Sequence, residues 1–199
     1  MKTIPYYAFV LLIASMMIAI FPTDAEAKIY EDTVRLHILA NSDSEEDQNL
    51  KLEIRNRLLS KYGDILSSAG SLDEAMEITA DLLTNIENDA EQWASELGFT
   101  YSVEATLTTE WYETRDYEGF SLPCGYYASL RVIIGKGEGK NWWCVMYPPL
   151  CMEIATESAP GDDGLIDYSK EELYLIKSGK YNVKFKILED LSRVFAKNG

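Results

Sequence analysis

From Val34 the chain alternates: Val34, Leu36, Ile38 and Ala40 fall on one side of an extended backbone, and Arg35, His37 and Leu39 fall on the other. A period of two is that of a strand. The polar run Asn41-Ser42-Asp43-Ser44 stops it and also supplies helix caps, since Ser44 with Asp47, or Ser42 with Glu45, sets a hydroxyl three residues ahead of an acid. Leu50, Ile54 and Leu58 follow at intervals of four, which predicts a helix from about Glu45 to Tyr62. Ser71 and Glu74 form a second capping box. After it Ala75, Thr79, Leu82, Leu83, Ile86, Ala90, Trp93 and Leu97 recur at threes and fours. That spacing predicts an amphipathic helix of about 25 residues, roughly 37 Å long, ending at Gly98.

Period two returns at Phe99, Tyr101, Val103, Ala105 and Leu107, and again at Tyr126, Ala128, Leu130, Val132 and Ile134. The glycine-rich turn from Gly135 to Asn141 leads into a further strand, Trp142 to Tyr147, so these last two strands are expected to pair as a hairpin. Pro148 and Pro149 end it, because neither can donate to a ladder. Between Glu153 and Glu172 lie seven acids together with Pro160, Gly161 and Gly164, which reads as an acidic loop. Ser169 with Glu172 is another capping box. Val183, Ile187, Leu188, Leu191, Val194 and Phe195 suggest a closing helix, although Val183-Phe185-Ile187 also fits a strand. The order β-α-α-β-β-β-α predicts a single α+β domain, with one mainly antiparallel sheet of about four strands and helices packed on a face.

The N-terminus adds a compartment. Lys2 precedes an apolar run from Ala8 to Phe21, and Ala25-Glu26-Ala27 offers small residues at cleavage positions, the pattern of a secretory signal peptide over residues 1–27 with the domain over 28–199. Counting the run from Ile4 leaves a retained anchor open. The formal net charge of −15 argues against nucleic acid and anionic lipid as partners, because both repel an acidic protein at long range. Beyond a membrane, the three cysteines Cys124, Cys144 and Cys151 are expected to include a disulfide. Cys144 and Cys151 have the shortest separation, across the turn that Pro148 and Pro149 would make.

Candidate chemistry is sparse. A single histidine means that any Ser-His or Cys-His mechanism must use His37, and a secreted hydrolase pairing His37 with Cys124 or Cys144 stands as the alternative to a binding protein. No C-x-x-C pair supports zinc. Asn41 to Asp47 has the composition of a calcium loop but lacks its glycine and distal glutamate, and Gly135 to Lys140 resembles a phosphate loop without the Ser or Thr that would follow. No metal, cofactor, small-molecule substrate or catalytic set is expected. The block Asn141 to Cys151, NWWCVMYPPLC, carries two each of Trp, Cys and Pro in eleven positions, and contact surfaces favour Trp, Tyr and Met as much as cores do. Asn41, Asp43, Glu45 and Asp47 in the turn, and Trp142, Trp143, Tyr147, Pro148 and Pro149 in this block, are the partner-contact candidates.

RLHILANSDSEEDQNLK at Arg35 to Lys51, GYYASLRVIIGKGEGKNWWCVMYPPLC at Gly125 to Cys151, and VKFKILE near the C-terminus resemble the stage II sporulation protein R family of endospore-forming bacteria. The resemblance implies a non-enzymatic signalling protein of endospore formation. Such a protein is secreted by the forespore into the space between the two sporulation membranes, where it triggers a membrane-embedded aspartic protease of the mother cell that cleaves the sigma-E precursor. Relatives commonly read proline-alanine-glycine where this chain has Pro123-Cys124-Gly125. That departure makes Cys124 the odd cysteine and supports Cys144 with Cys151 as the family's own pair.

Overall fold

β1 (Val34–Leu39) is buried along its whole length, which places it inside a sheet rather than at an edge. The computed structural model describes residues 4–18, 24–117, 120–148, 150 and 168–179. Two helices, α1 (Ile4–Ile18) and α2 (Asp24–Glu31), precede β1, and α3 (Glu45–Ser67) and α4 (Leu72–Glu96) follow it. Then come β2 (Val103–Tyr112), β3 (Arg115–Tyr117), β4 (Phe120–Leu122), β5 (Gly125–Ile134), β6 (Asn141–Tyr147) and α5 (Lys170–Ser178).

The main sheet has the order β2-β5-β1-β6. β1 runs parallel to β5 and antiparallel to β6, while β2 and β5 are antiparallel. The class is α+β as expected, but the sheet is mixed rather than mainly antiparallel. The hairpin expected between Tyr126–Ile134 and Trp142–Tyr147 does not form, because β1 lies between those strands. Alternation assigns residues to faces and says nothing about neighbours, and β1, buried on both sides with Arg35 and His37 as well as its apolar residues, lies inside the sheet. Its parallel pairing with β5 is made by the long connection through α3, α4 and β2.

One face of the sheet carries the main core. Leu36, Ile38, Leu130 and Val132 meet Leu50, Ile54 and Leu58 of α3 and Ile86, Ala90 and Ala94 of α4. Alanine at three buried positions of α4 (Ala75, Ala90, Ala94) lets the helix backbone approach closely. The opposite face holds a second cluster built from Ile29 of α2, Phe120 and Leu122 of β4, Tyr112, Tyr127, Val145, Leu150, Tyr168 and Ile176 of α5. α2, α5 and the small β3–β4 hairpin therefore cover part of the face that the sequence reading left open.

The cap signals hold. Ser44 accepts from the Asp47 N–H, Ser71 accepts from the Glu74 N–H, and Ser169 with Glu172 makes the complete reciprocal box. α3 continues to Ser67, past the expected end at Tyr62. β2 begins at Val103 and extends to Tyr112, so Phe99 and Tyr101 precede the strand instead of opening it. The expected cleavage point after Ala27 falls within α2, just before the wholly buried Ile29. Among the described residues no helix is long and apolar enough to cross a membrane. The Val183–Phe195 reading and residues 153–167 of the acidic loop lie outside the described residues. The last part of that loop is ordered, with Tyr168 buried and Lys170 opening α5.

Candidate partner-contact surface

The turn after β1 and the glycine-rich loop after β5, far apart in sequence, close on each other at one end of the sheet. Gly139 N–H donates to the Ala40 carbonyl at 2.9 Å and Glu138 N–H to the Asn41 carbonyl at 3.2 Å. Lys136 N–H reaches Asn41 Oδ1 at 3.1 Å, and Lys140 N–H reaches Asp43 Oδ1 at 2.7 Å. Lys51 Nζ, on α3, adds a bond of 2.8 Å to the Lys140 carbonyl, and burial pulls its pKa down. The glycine is required at 139, where a Cβ would stand 2.2 Å from the Ser42 carbonyl oxygen. At Gly135 the backbone is left-handed, with φ +60°.

Asp47 is the hub of the turn. Its Oδ2 accepts from Asn41 Nδ2 at 2.8 Å and from the Ser42 hydroxyl at 2.6 Å, and the residue is 4 % exposed. Burial alone would raise its pKa, but the hydrogen bonds from Ser42, Asn41, Tyr101 and Ser44 hold the carboxyl below the usual value.

On the face opposite α3 and α4, His37 Nδ1 lies 3.0 Å from Glu110 Oε2, and Nε2 lies 3.0 Å from Asn141 Oδ1. The imidazole stacks on Trp143, with centroids 5.5 Å apart and planes 18° apart. Burial would raise Glu110, but the hydrogen bond and charge of His37, with Ser129 and Arg131, hold its carboxyl below the ordinary 4.5. A carboxylate depressed in the folded state contributes stability that is present above its unfolded value and is lost as pH falls through the folded one. The urea midpoint of the wild type should therefore fall between about pH 5 and 3, and Glu110→Gln should flatten part of that limb. Identical slopes in the two proteins would remove Glu110 from the acid response.

Next to this group lies a fully buried cation. Arg35 is 0 % exposed, with its guanidinium carbon 4.4 Å from the Tyr112 ring centroid, 5.1 Å from that of Tyr127 and 5.8 Å from that of Tyr117. Nε donates to the Cys144 carbonyl at 3.2 Å and Nη2 to the Tyr117 hydroxyl at 2.7 Å, whereas Nη1 is buried with no hydrogen-bond partner. Beyond Tyr112 opens a cavity of about 300 Å³ lined by Trp111, Tyr112, Glu113, Arg115 and Trp143. Nothing in the period-two pattern distinguished Arg35, Tyr112 or Arg115. Only an arginine at an inward strand position was available as a signal.

The nine contact candidates divide by burial. Asp43 and Glu45 are exposed, and Asn41 is half-buried while bracing the loop. Asp47, Tyr147 and Pro148 are interior, which suits scaffolding more than contact. The two tryptophans point to opposite faces. Trp142 packs on the main core beneath Arg55 of α3, and Trp143 is half-buried against His37 and Arg115. Pro149 and Cys151 lie outside the described residues. Cys144 is a buried thiol in the main core, on the sheet face opposite His37, and Cys124 is also buried. His37 registers with Arg131, seven residues beyond Cys124, which at ~3.3 Å per residue sets the two about 23 Å apart. Neither cysteine is placed to pair with His37, and the hydrolase alternative loses its geometry. Among the described residues no group of His, Cys, Asp and Glu could hold a metal ion.

The site is thus an α+β scaffold whose polar side chains brace one another and leave a cavity lined by tryptophan, tyrosine, glutamate and arginine. The chain belongs to the stage II sporulation protein R family, whose model matches residues 30–157. It is 33 % identical over 123 residues to stage II sporulation protein R of Bacillus subtilis (strain 168), covering 62 % of this chain and 55 % of that protein. The chain thus spans about half the length of the curated relative it matches. No solved structure matches it.

Proposed function

We propose that this protein is a secreted, non-enzymatic signal of endospore formation. It acts in the space between forespore and mother-cell membranes, where it activates a membrane-embedded aspartic protease that processes the sigma-E precursor. The observation that carries this reading is family membership over residues 30–157, a region that begins just after the apolar segment and the Ala25-Glu26-Ala27 site. Activation requires that the protein bind the active form of the protease better than the inactive one. A ligand with equal affinity for both shifts nothing.

Co-expression of the tagged protein with candidate membrane aspartic proteases tests this directly. The expected result is co-purification of one protease and cleavage of the sigma precursor only when both proteins are present. Cleavage without the protein, or no retention of any such protease, would sink the reading. His37→Gln, otherwise the cheap test for an enzyme, also breaks contacts to Glu110 and Asn141, so it is informative only on protein shown to be folded.

A bridge between Cys144 and Cys151 belongs to the same proposal. Secreted protein should weigh about 2 Da less before reduction than after it. Equal masses would leave Cys144 as the buried thiol described above.

A further inference from the structure

β2 ends the main sheet, with β5 on one side of it and no strand on the other among the described residues. Its register with β5 runs from Val103 opposite Ile134 to Tyr112 opposite Gly125 without a bulge, so alternate residues turn their backbone N–H and C=O away from β5. Two of the outward N–H groups are taken by α4: Val103 donates to Glu91 Oε1 at 3.0 Å and Ala105 to Glu87 Oε1 at 2.9 Å. The acceptors stand four residues apart on α4 and the donors two apart on β2. The next steps of that spacing bring Leu83, which cannot accept, and Thr79, whose buried hydroxyl already bonds the Ala75 carbonyl. The outward backbone groups of Leu107, Thr109 and Trp111 therefore have no hydrogen-bond partner among the described residues. No Pro, Lys or bulge interrupts this stretch, although these are the devices that ordinarily blunt an edge. The surroundings are acidic: α4 holds eight acids and β2 two, and neither element holds a Lys or Arg. Asp89 and Glu96 are taken by Lys61 and Arg57 of α3, and Glu110 by His37 and Arg131, whereas Glu87, Glu91 and Glu104 meet no cation among the described residues.

We propose that the edge from Leu107 to Trp111 takes a strand from a protein partner, an extended segment in which apolar and basic residues alternate. Its backbone pairs with the outward N–H and C=O groups of Leu107, Thr109 and Trp111. Glu87 and Glu91, already seated on the edge, stop the segment at Ala105. Pleating fixes the pattern of its side chains. Those on the α4 side lie beside Leu107 and Trp111, the second set edge-on against Tyr126 at 5.0 Å, and are apolar. Those on the other side lie along the row Glu104, Thr106, Thr108 and Glu110, whose ends are acids, and are basic. A second copy of this chain is a poor occupant, since its own edge carries the same acids and the chain a net charge of −15. The inference deepens the reading of the protein as a ligand, on which it rests, by naming the surface and the chemistry of the segment it holds.

Three short peptides with blocked ends test this on the full chain: one alternating valine and lysine, one alternating valine and glutamate, and the first with its valines N-methylated, which removes the donors that would face β2. Binding is followed by the backbone amide resonances of Leu107, Thr109 and Trp111. The expected result is a saturable shift and slowed exchange of those amides with the valine–lysine peptide. The valine–glutamate peptide should bind at least about tenfold more weakly, the scale of a few opposite-charge pairs across strands. N-methylation should abolish binding. Thr109→Pro removes an outward N–H and no bond of the β2–β5 ladder, so it should also abolish binding while leaving the amide spectrum of α3 and α4 unchanged. Equal binding of the lysine and glutamate peptides, or of the N-methylated peptide and its parent, would overturn the inference. So would shifts confined to other residues, or none up to about 10 mM peptide. Concentration-dependent shifts of the same three amides in the chain alone would overturn it too, by making a second copy the occupant. No receptor takes part, so failure here leaves the proposed function standing. Peptide binding without protease capture would instead sink the proposed function and keep the edge.

Discussion

Replacing Arg35 by Ala is expected to lower the unfolding free energy by about 3 kcal/mol or more. The change removes a desolvated cation–π group, two hydrogen bonds from a charged donor, and the volume of a long side chain from a closed cluster. For a domain of this size the melting temperature should drop by roughly 10 °C. Arg35→Met separates charge from volume. It fills the same space among Tyr112, Tyr117 and Tyr127 without burying a cation whose Nη1 has no partner. Its stability should stay within about 1 kcal/mol of wild type, because exchanging buried charge for well-packed apolar volume is often neutral or stabilising. Urea denaturation followed by tyrosine and tryptophan fluorescence checks both variants. A loss for Met as large as for Ala would mean that the guanidinium itself holds the second cluster together.

Asp47→Ala should cost about 3 kcal/mol, and it should do so at the opposite end of the sheet. One buried carboxylate accepts from Asn41 and Ser42, and Asn41 in turn accepts the Lys136 N–H that docks the glycine-rich loop. Truncation leaves those donors facing nothing, which is the expensive way to lose a hydrogen bond. The folded carboxyl is held below its ordinary value. Its contribution is therefore complete above the unfolded pKa and disappears as pH falls through the folded one, so wild type and variant should converge in acid. Amide exchange at Lys136, Gly139 and Lys140 should quicken in the variant at neutral pH. Unchanged protection there would show that the loop is held without the turn.

These two residues mark where sequence reading stops. The polar run Asn41 to Ser44 marks a strand stop and a helix cap by Ser44 with Asp47 or by Ser42 with Glu45, and the fold uses the first pair. Its union with Gly135–Lys140 was not visible, since hydrogen bonds such as Lys140 N–H to Asp43 span most of a hundred residues and leave no periodic trace. The β3–β4 hairpin was missed for a different reason: three residues are too few to show alternation. The candidate cavity was missed because Trp111, Arg115 and Trp143 belong to three separate elements or their ends, and no spacing rule joins them.

The sequence by itself determined α3 and α4, the caps of α3, α4 and α5, the faces of β1, β5 and β6, and the family. Each of those is written locally, in hydroxyl-to-acid spacings, in periods of two and 3.6, or in contiguous blocks of residues. Only the tertiary structure decided which strands are neighbours, and with that the fate of the tryptophan pair. By inserting β1 between β5 and β6, the fold turns Trp142 toward α3 and leaves Trp143 beside His37 and Arg115. Strand order is set by burial summed over the whole sheet, and β1, buried at every position, lies inside it although it comes first of the strands in the chain.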